Sequence, residues 1–235
     1  MQEFDQVGIA RPVTKGAWEI PSVDRIPEFI SLAFRTAMEG KRGPVHLTIP
    51  HDLQEKTVDI EVFERYKKSV DDDIKNWLTY PNFNQIEKSL DLLKRAKKPV
   101  VIAGLGAGAT VLSDDLDKFL SKTKMPFFGV DTARALVPDS HECSLGIGYL
   151  PLNKSAQRIS ESDVVLLLGV KLDYQLGFGG SPPFNKNTKI ICVDPDIQQL
   201  NRSRTVSLVV NSDVGPYVEL INKESAKMKW NNFEW

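Results

Sequence analysis

From residue 84 onward the 235-residue chain is expected to fold as α/β with a doubly wound parallel sheet, preceded by a partial α/β piece. Two patterns carry this expectation. The first is a series of short, continuous runs of Val, Ile, Leu and Phe: PVVIAG (99–104), MPFFGV (125–130), DVVLLLG (163–169), KIICVD (189–194) and SLVVN (207–211). A strand buried on both faces reads this way, and burial of both faces is the habit of parallel sheets. The second is helical spacing between the runs. Ile86, Leu90 and Leu93, with Leu92 beside them, form one apolar stripe in IEKSLDLLKRA, and Leu112, Leu116, Phe119 and Leu120 form another within 111–122. Strand alternating with helix gives βαβ units, which wind helices onto both faces of one sheet.

The first fifty residues repeat the arrangement on a smaller scale. Residues 24–38 (DRIPEFISLAFRTAM) predict an amphipathic helix with Asp24 near its N-cap; GKRGP follows as a turn, and VHLTIP (45–50) as a strand closing at Pro50. One helix with one or two strands cannot cover both faces of a sheet, so residues 1–55 are expected to be the trailing part of a domain. An incomplete sheet favours pairing with another chain, either a second copy or a complementary one. Residues 56–83 are polar and poorly periodic and predict an interdomain linker pinned by Trp77, Tyr80 and Pro81, which leaves 84–235 as the second domain.

Composition narrows the function classes. Lys+Arg 30 against Asp+Glu 31 gives a net charge of -1, which offers no footprint for nucleic acid or an anionic membrane. No apolar stretch approaches the ~20 residues of a membrane helix, and MQEFDQVG lacks the basic and apolar regions of a signal peptide. A cytoplasmic location is expected. Cys143 and Cys192 form no CxxC and are expected as reduced, buried thiols.

Chemistry-bearing residues gather at strand ends. Gly104, Gly106 and Gly108 (AGLGAGA) follow the strand PVVIAG and open a helix. Glycines there either let a phosphate approach the helix N-terminus or simply make a tight strand-to-helix turn. Asp131 ends the next strand, where dinucleotide folds keep a ribose-binding acid, and Asp194 and Asp196 end KIICVDPD. Such carboxylates face a ligand crevice or cap the following helix, and capping is the stronger reading for Asp196. Lys171 meets a ligand phosphate or is a solvated edge lysine, and the Gly-, Pro- and aromatic-rich 168–184 covers a ligand or merely connects. His46, His51 and His141 lack metal-ligand spacing, so no metal ligands are expected. There is no GxSxG, P-loop or HExxH.

Two longer stretches resemble a known family. MQEFDQVGIARPVTKGAWEI and AFRTAMEGKRGPVHLTIPHDLQ are similar to the second half of the pyrimidine-binding domain of acetolactate synthase and its relatives, whose pattern runs FQE-x-D…RPITK and then GRPGPV…IPxDVQ. AKKPVVIAGLGAGA, MPFFGVDTARALVPDSH, SDVVLLLGVKLDYQLGFGGSPPF and KIICVDPD resemble the family's Rossmann-like central domain, closest in wording to 2-hydroxyacyl-CoA lyase and oxalyl-CoA decarboxylase. The resemblance implies a thiamine-diphosphate- and Mg²⁺-dependent enzyme acting on 2-keto acids or 2-hydroxyacyl-CoA, with the cofactor as electron sink. It implies FAD, ADP or the CoA nucleotide in the central domain, lined by Gly104, Gly106, Lys171 and Asp194. Lys41 stands where the family has an arginine that contacts this nucleotide; it brings a point charge in place of a bidentate fork. Gln2 matches the glutamine near the reaction centre, and His51 the basic residue beside the substrate channel.

The activating glutamate of that family is expected upstream of Met1 and its GDG…N motif downstream of Trp235, so the chain alone is expected to be catalytically silent: a fragment, a truncated product or half of a split enzyme. A non-catalytic nucleotide-binding or regulatory module is the rival from another class. An NAD-dependent dehydrogenase would rest on the GxGxG alone. Gly106→Val is expected to obstruct a ligand without unfolding the chain.

Overall fold

The computed structural model describes residues 4–64, 77–108, 113–200, 206–230 and 233–235. The chain separates into two compact units, Met1–Leu78 and Thr79–Trp235.

The first unit contains α1 (Gln6–Ala10), β1 (Ala17–Glu19), α2 (Ile26–Met38), β2 (His46–Thr48) and α3 (His51–Gln54). β1 and β2 pair in parallel, Trp18 opposite Leu47. Helix α2 starts later than its sequence suggests. Asp24 lies in a 3₁₀ turn (Val23–Arg25), the N-cap is Arg25 without a side-chain bond, and Pro27 sits in the first turn. Proline preorganises that position and needs no N–H there, so its start signal outweighed the acid. Ile30 and Phe34, one turn apart on α2, are exposed.

The second unit is built on six strands: β3 (Pro99–Ala103), β4 (Phe127–Gly129), β5 (Ser144–Ile147), β6 (Val164–Leu168), β7 (Lys189–Asp194) and β8 (Val206–Asn211). Their order is β5-β4-β3-β6-β7-β8, and every adjacent pair is parallel. Numbered within the unit this is 3-2-1-4-5-6, the doubly wound order. The predicted runs are the five strands β3, β4, β6, β7 and β8. In β3, β6 and β7 alternate side chains enter two separate cores. Val101, Ala103, Leu166, Leu168, Ile191 and Val193 face one layer, while Val100, Ile102, Val165, Leu167, Ile190 and Cys192 face the other. Both layers are apolar because the sheet is covered on both sides, hence the unbroken runs.

Three helices cover the first face: α4 (Phe83–Arg95), α6 (Ser113–Thr123) and α9 (Val214–Glu224), through Leu93, Phe119, Tyr217 and their neighbours. Helix α4 opens with a reciprocal capping box between Asn82 and Gln85. The second face is covered more thinly, by α7 (Arg158–Glu161), α8 (Ile197–Leu200), Leu176 and Phe184. The start of the unit is held by Asp213, whose carboxylate accepts the Thr79 N–H at 2.7 Å. Of the three residues expected to pin this segment, Pro81 is buried, Trp77 half-buried and Tyr80 exposed.

Strand β5 has no counterpart among the predicted runs. It lies at the sheet edge, every residue is only half-buried, and Gly146 takes φ 81. Asn153 blunts this edge by donating to the Leu145 and Ile147 carbonyls. No helix of the described residues is long and apolar enough to cross a membrane.

Candidate functional site

In a doubly wound sheet the connections after the two central strands leave to opposite faces, and a crevice opens between their C-terminal ends. Here those strands are β3 and β6. The chain after β3 enters a short helical turn, α5 (Leu105–Gly108), then α6 on the first face; the chain after β6 supplies Leu176 and Phe184 to the second. Four of the residues singled out in the sequence therefore share one sheet edge: Gly104 and Gly106 after β3, Lys171 after β6, and Asp194 closing β7. Asp131 joins them after β4.

The floor of this crevice is closed by backbone. Gly104 N–H donates to the Leu168 carbonyl at 3.0 Å and Gly106 N–H to the Gly169 carbonyl at 3.0 Å. A Cβ on Gly106 would stand 2.9 Å from Gly169 Cα, and one on Gly169, at φ 61, only 2.5 Å from the Ala107 nitrogen. The tight-turn reading of these glycines is thus satisfied in full, and the expectation that Gly106→Val leaves the fold intact is corrected. Its side chain would force the two central strand ends apart. The Ala107 and Gly108 amides also turn inward, both to the Gly104 carbonyl.

The walls come from polar side chains. Asp194, buried at the end of β7, accepts the Asp196 N–H at 2.8 Å, and Asp196 accepts the Gln198 N–H at 3.0 Å. Both acids cap the entry to α8, so the ligand reading of Asp194 competes with a structural duty it already performs. Beneath it, burial first and the Asp194 charge second push the Cys192 thiol from 9.0 up to about 12. Asp173 caps the segment after β6 through the Gln175 N–H, and Gln175 Nε2 donates across to Asp131 Oδ1 at 3.1 Å. Asp131 (φ 52) and Phe178 (φ 52) both hold the left-handed conformation, which aspartate adopts readily and a bulky side chain such as Phe178 resists. Strained non-glycine backbone of this kind clusters at ligand sites. Lys171 is exposed and makes no ion pair with the described residues. Asp173, Tyr174, Gln175 and Phe178 lie within the segment noted in the sequence, but their individual roles depend on contacts that spacing does not reveal.

In the first unit, Lys41 precedes β2 and His51 begins α3 directly after it, so the two stand on opposite sides of that strand in the chain. Both are exposed. Gln2 lies outside the described residues. His46 Nε2 meets Thr48 Oγ1 at 2.9 Å, which in turn reaches Gln6 at 3.4 Å.

His141 has Ser121 and Asp117 near it, but both sit at Nε2 (3.2 and 3.4 Å), while Nδ1 accepts the Cys143 N–H. A nucleophile relay needs serine and carboxylate on opposite ring nitrogens, so this cluster pins a loop. No group of three or more His, Cys, Asp or Glu side chains among the described residues could hold a metal ion.

Comparison with known proteins places this geometry. The profile of the thiamine pyrophosphate enzyme central domain matches residues 86–221, which takes in the whole six-stranded sheet. The chain belongs to the thiamine pyrophosphate enzyme family. It is 31% identical over 232 residues to a 2-hydroxyacyl-CoA lyase of Oryza sativa subsp. japonica, covering 95% of this chain and 38% of that protein. It is 28% identical over 216 residues to the acetolactate synthase isozyme 1 large subunit of Escherichia coli, covering 91% of this chain and 36% of that one. The chain thus spans under two fifths of the length of these relatives. A crystal structure from Mycobacterium smegmatis, provisionally described as a thiamin diphosphate-dependent enzyme, superposes with a TM-score of 0.68 over 93% of this chain and 41% of that one; at 17% identity it speaks for the fold.

Proposed function

We propose that this chain is part of a thiamine-diphosphate enzyme that makes or breaks C–C bonds of 2-keto acids or 2-hydroxyacyl-CoA, and that its second unit binds FAD or an adenine nucleotide. The carrying observation is the 3-2-1-4-5-6 sheet with Gly104, Gly106, Lys171 and Asp194 along one crevice. Binding there would bring Asp131 and Asp194 to sugar or base donors and Lys171 to a phosphate. Residues 1–55 are read as the trailing part of the pyrimidine-binding domain, 56–83 as a linker (65–76 lying outside the described residues) and 84–235 as the central domain. Lys41 is assigned to nucleotide binding, Gln2 to the reaction centre and His51 to the substrate channel; His51 follows the C-terminal end of β2, the end at which parallel sheets collect functional side chains. Cytoplasmic location and assembly with a second or complementary chain belong to this reading.

When bound, thiamine diphosphate supplies an electron sink for C–C cleavage or formation. Mg²⁺ would hold its diphosphate, and the described residues offer no donor set that would hold the ion, so no chemical step is assigned to them. Their part is to bind and orient the nucleotide. Mass spectrometry of the purified, denatured protein for carried-over nucleotide, followed by calorimetry with ADP, FAD and CoA, is the test. Asp194→Ala should weaken the bound one by about 1–3 kcal/mol. No binding of any of the three up to millimolar concentration would overturn the reading.

A further inference from the structure

We infer that the second unit has a further small-molecule site, at the sheet end opposite the crevice, which binds a small aromatic monocarboxylate. The site does not depend on the nucleotide reading. It arises because the second face of the sheet is thinly covered. On the first face α4, α6 and α9 run 13, 11 and 11 residues, whereas α7 on the second has 4. Near the starts of β3, β4 and β5 that leaves a cavity of about 280 Å³, walled by Pro126, Leu145 and Trp235 with Arg158 beside them. Pockets for drug-sized ligands run to about 300–1,000 Å³, so a cavity at the bottom of that range suits one ring with a short acid arm.

The apolar wall is fixed in place. Leu145 and Trp235 pack against the second core. The Trp235 indole N–H donates to the Pro99 carbonyl at 3.0 Å, and Lys98 Nζ lies 5.5 Å from the ring centroid. A side chain anchored twice gives contact to a ligand ring at little ordering cost. The charges around the cavity leave one positive group over. Lys124 donates to Glu142, a bond that holds both in their charged forms. Lys98 Nζ stands 3.6 Å from Glu161. Cys143 adds no charge at neutral pH, because burial above all raises its thiol above the ordinary value. Arg158 is exposed, and its side chain bonds to none of the described residues. A guanidinium presents a planar fork that a carboxylate meets with two parallel bonds. One fork beside a braced ring calls for one carboxylate on a flat apolar body, and Glu142 at the rim disfavours a second negative charge.

The test is calorimetry on the full chain with phenylacetate and its uncharged amide, phenylacetamide. The acid should bind with a dissociation constant under about 1 mM, and the amide about tenfold more weakly or worse. Arg158→Gln should bring the acid down to the level of the amide, and Trp235→Leu should weaken the acid about fivefold or more. Because the Arg158 side chain is exposed and unbonded to the described residues, Arg158→Gln should keep the wild-type melting temperature. With isotope-labelled tryptophan, the Trp235 indole N–H resonance should shift as acid is added. No binding of the acid up to about 10 mM would overturn the inference, as would equal binding of acid and amide. So would acid binding that Arg158→Gln leaves unchanged, or an unmoved Trp235 resonance. Displacement of the acid by ADP would overturn it as well, because the acid would then lie in the crevice at the other strand ends.

Discussion

Replacing Gly169 by alanine is expected to destabilise the second unit by about 2–4 kcal/mol. The φ of 61 at this residue costs an L side chain about 1–2 kcal/mol. The added Cβ would stand 2.5 Å from the Ala107 nitrogen and 2.6 Å from the Gly106 carbonyl carbon, where carbon contacts are comfortable only at about 3.5 Å or more. Both neighbours are backbone and cannot rotate away. Relief requires separating β3 from β6, which stretches the Gly106 N–H bond to the Gly169 carbonyl (3.0 Å), a loss of about 0.5–1.5 kcal/mol. Urea titration followed by far-ultraviolet circular dichroism measures it. With a slope of about 2 kcal/mol per molar, the midpoint should fall by about 1–2 M. Gly108→Ala is the control: its Cβ would meet nothing closer than Thr132 Oγ1 at 3.9 Å, so its midpoint should hold or rise slightly. If Gly169→Ala shifts the midpoint no more than Gly108→Ala, the closed floor of the crevice is an error.

Three further outcomes follow from the same structure. Cys192 keeps its proton up to about pH 12 when folded but loses it near 9.0 when unfolded. The folded form therefore holds the extra proton between those values, and stability falls as pH rises through that window, by about 1.4 kcal/mol per unit for one such group. Cys192→Val should flatten this alkaline decline without altering stability at pH 7 by more than about 1.5 kcal/mol; an unchanged alkaline slope would count against it. Leu93→Ala, at a fully buried position of α4, should cost about 2–5 kcal/mol by thermal or urea unfolding. Asn82→Ala removes the capping box of the same helix and should cost about 0.5–2 kcal/mol by the same assay.

How much the sequence disclosed follows from how local each signal is. Strands β3, β6 and β7 were legible because burial on both faces leaves an unbroken run of at least four apolar residues in each, as in VVLLL and IICV. Strand β5 was not, because Ser144–Ile147 is a half-buried edge containing a left-handed glycine, with no apolar run and an alternation of only Leu145 and Ile147 across four residues. The positions of Gly104 and Gly106 were legible from their place between strand and helix. The reason they must be glycine was not, since it depends on Gly169 more than sixty residues later in the chain. The Asp131–Gln175 bond is equally non-local. The same holds for Asp194: its carboxylate at a strand end is visible in KIICVDPD, but its capping of Asp196 depends on the turn geometry.

The central claim is that the C-terminal edge of the β3–β4–β6–β7 sheet is the ligand site of the second unit. Hydrogen–deuterium exchange with and without saturating adenine nucleotide tests it most directly. Protection is expected at residues 104–108, 131–136, 171–179 and 194–200, with little change along the groove formed by Asn84, Lys88, Leu92 and Ser207 at the other edge of the unit. Binding that protects that groove, and leaves all four strand-end segments exchanging as before, would contradict the claim.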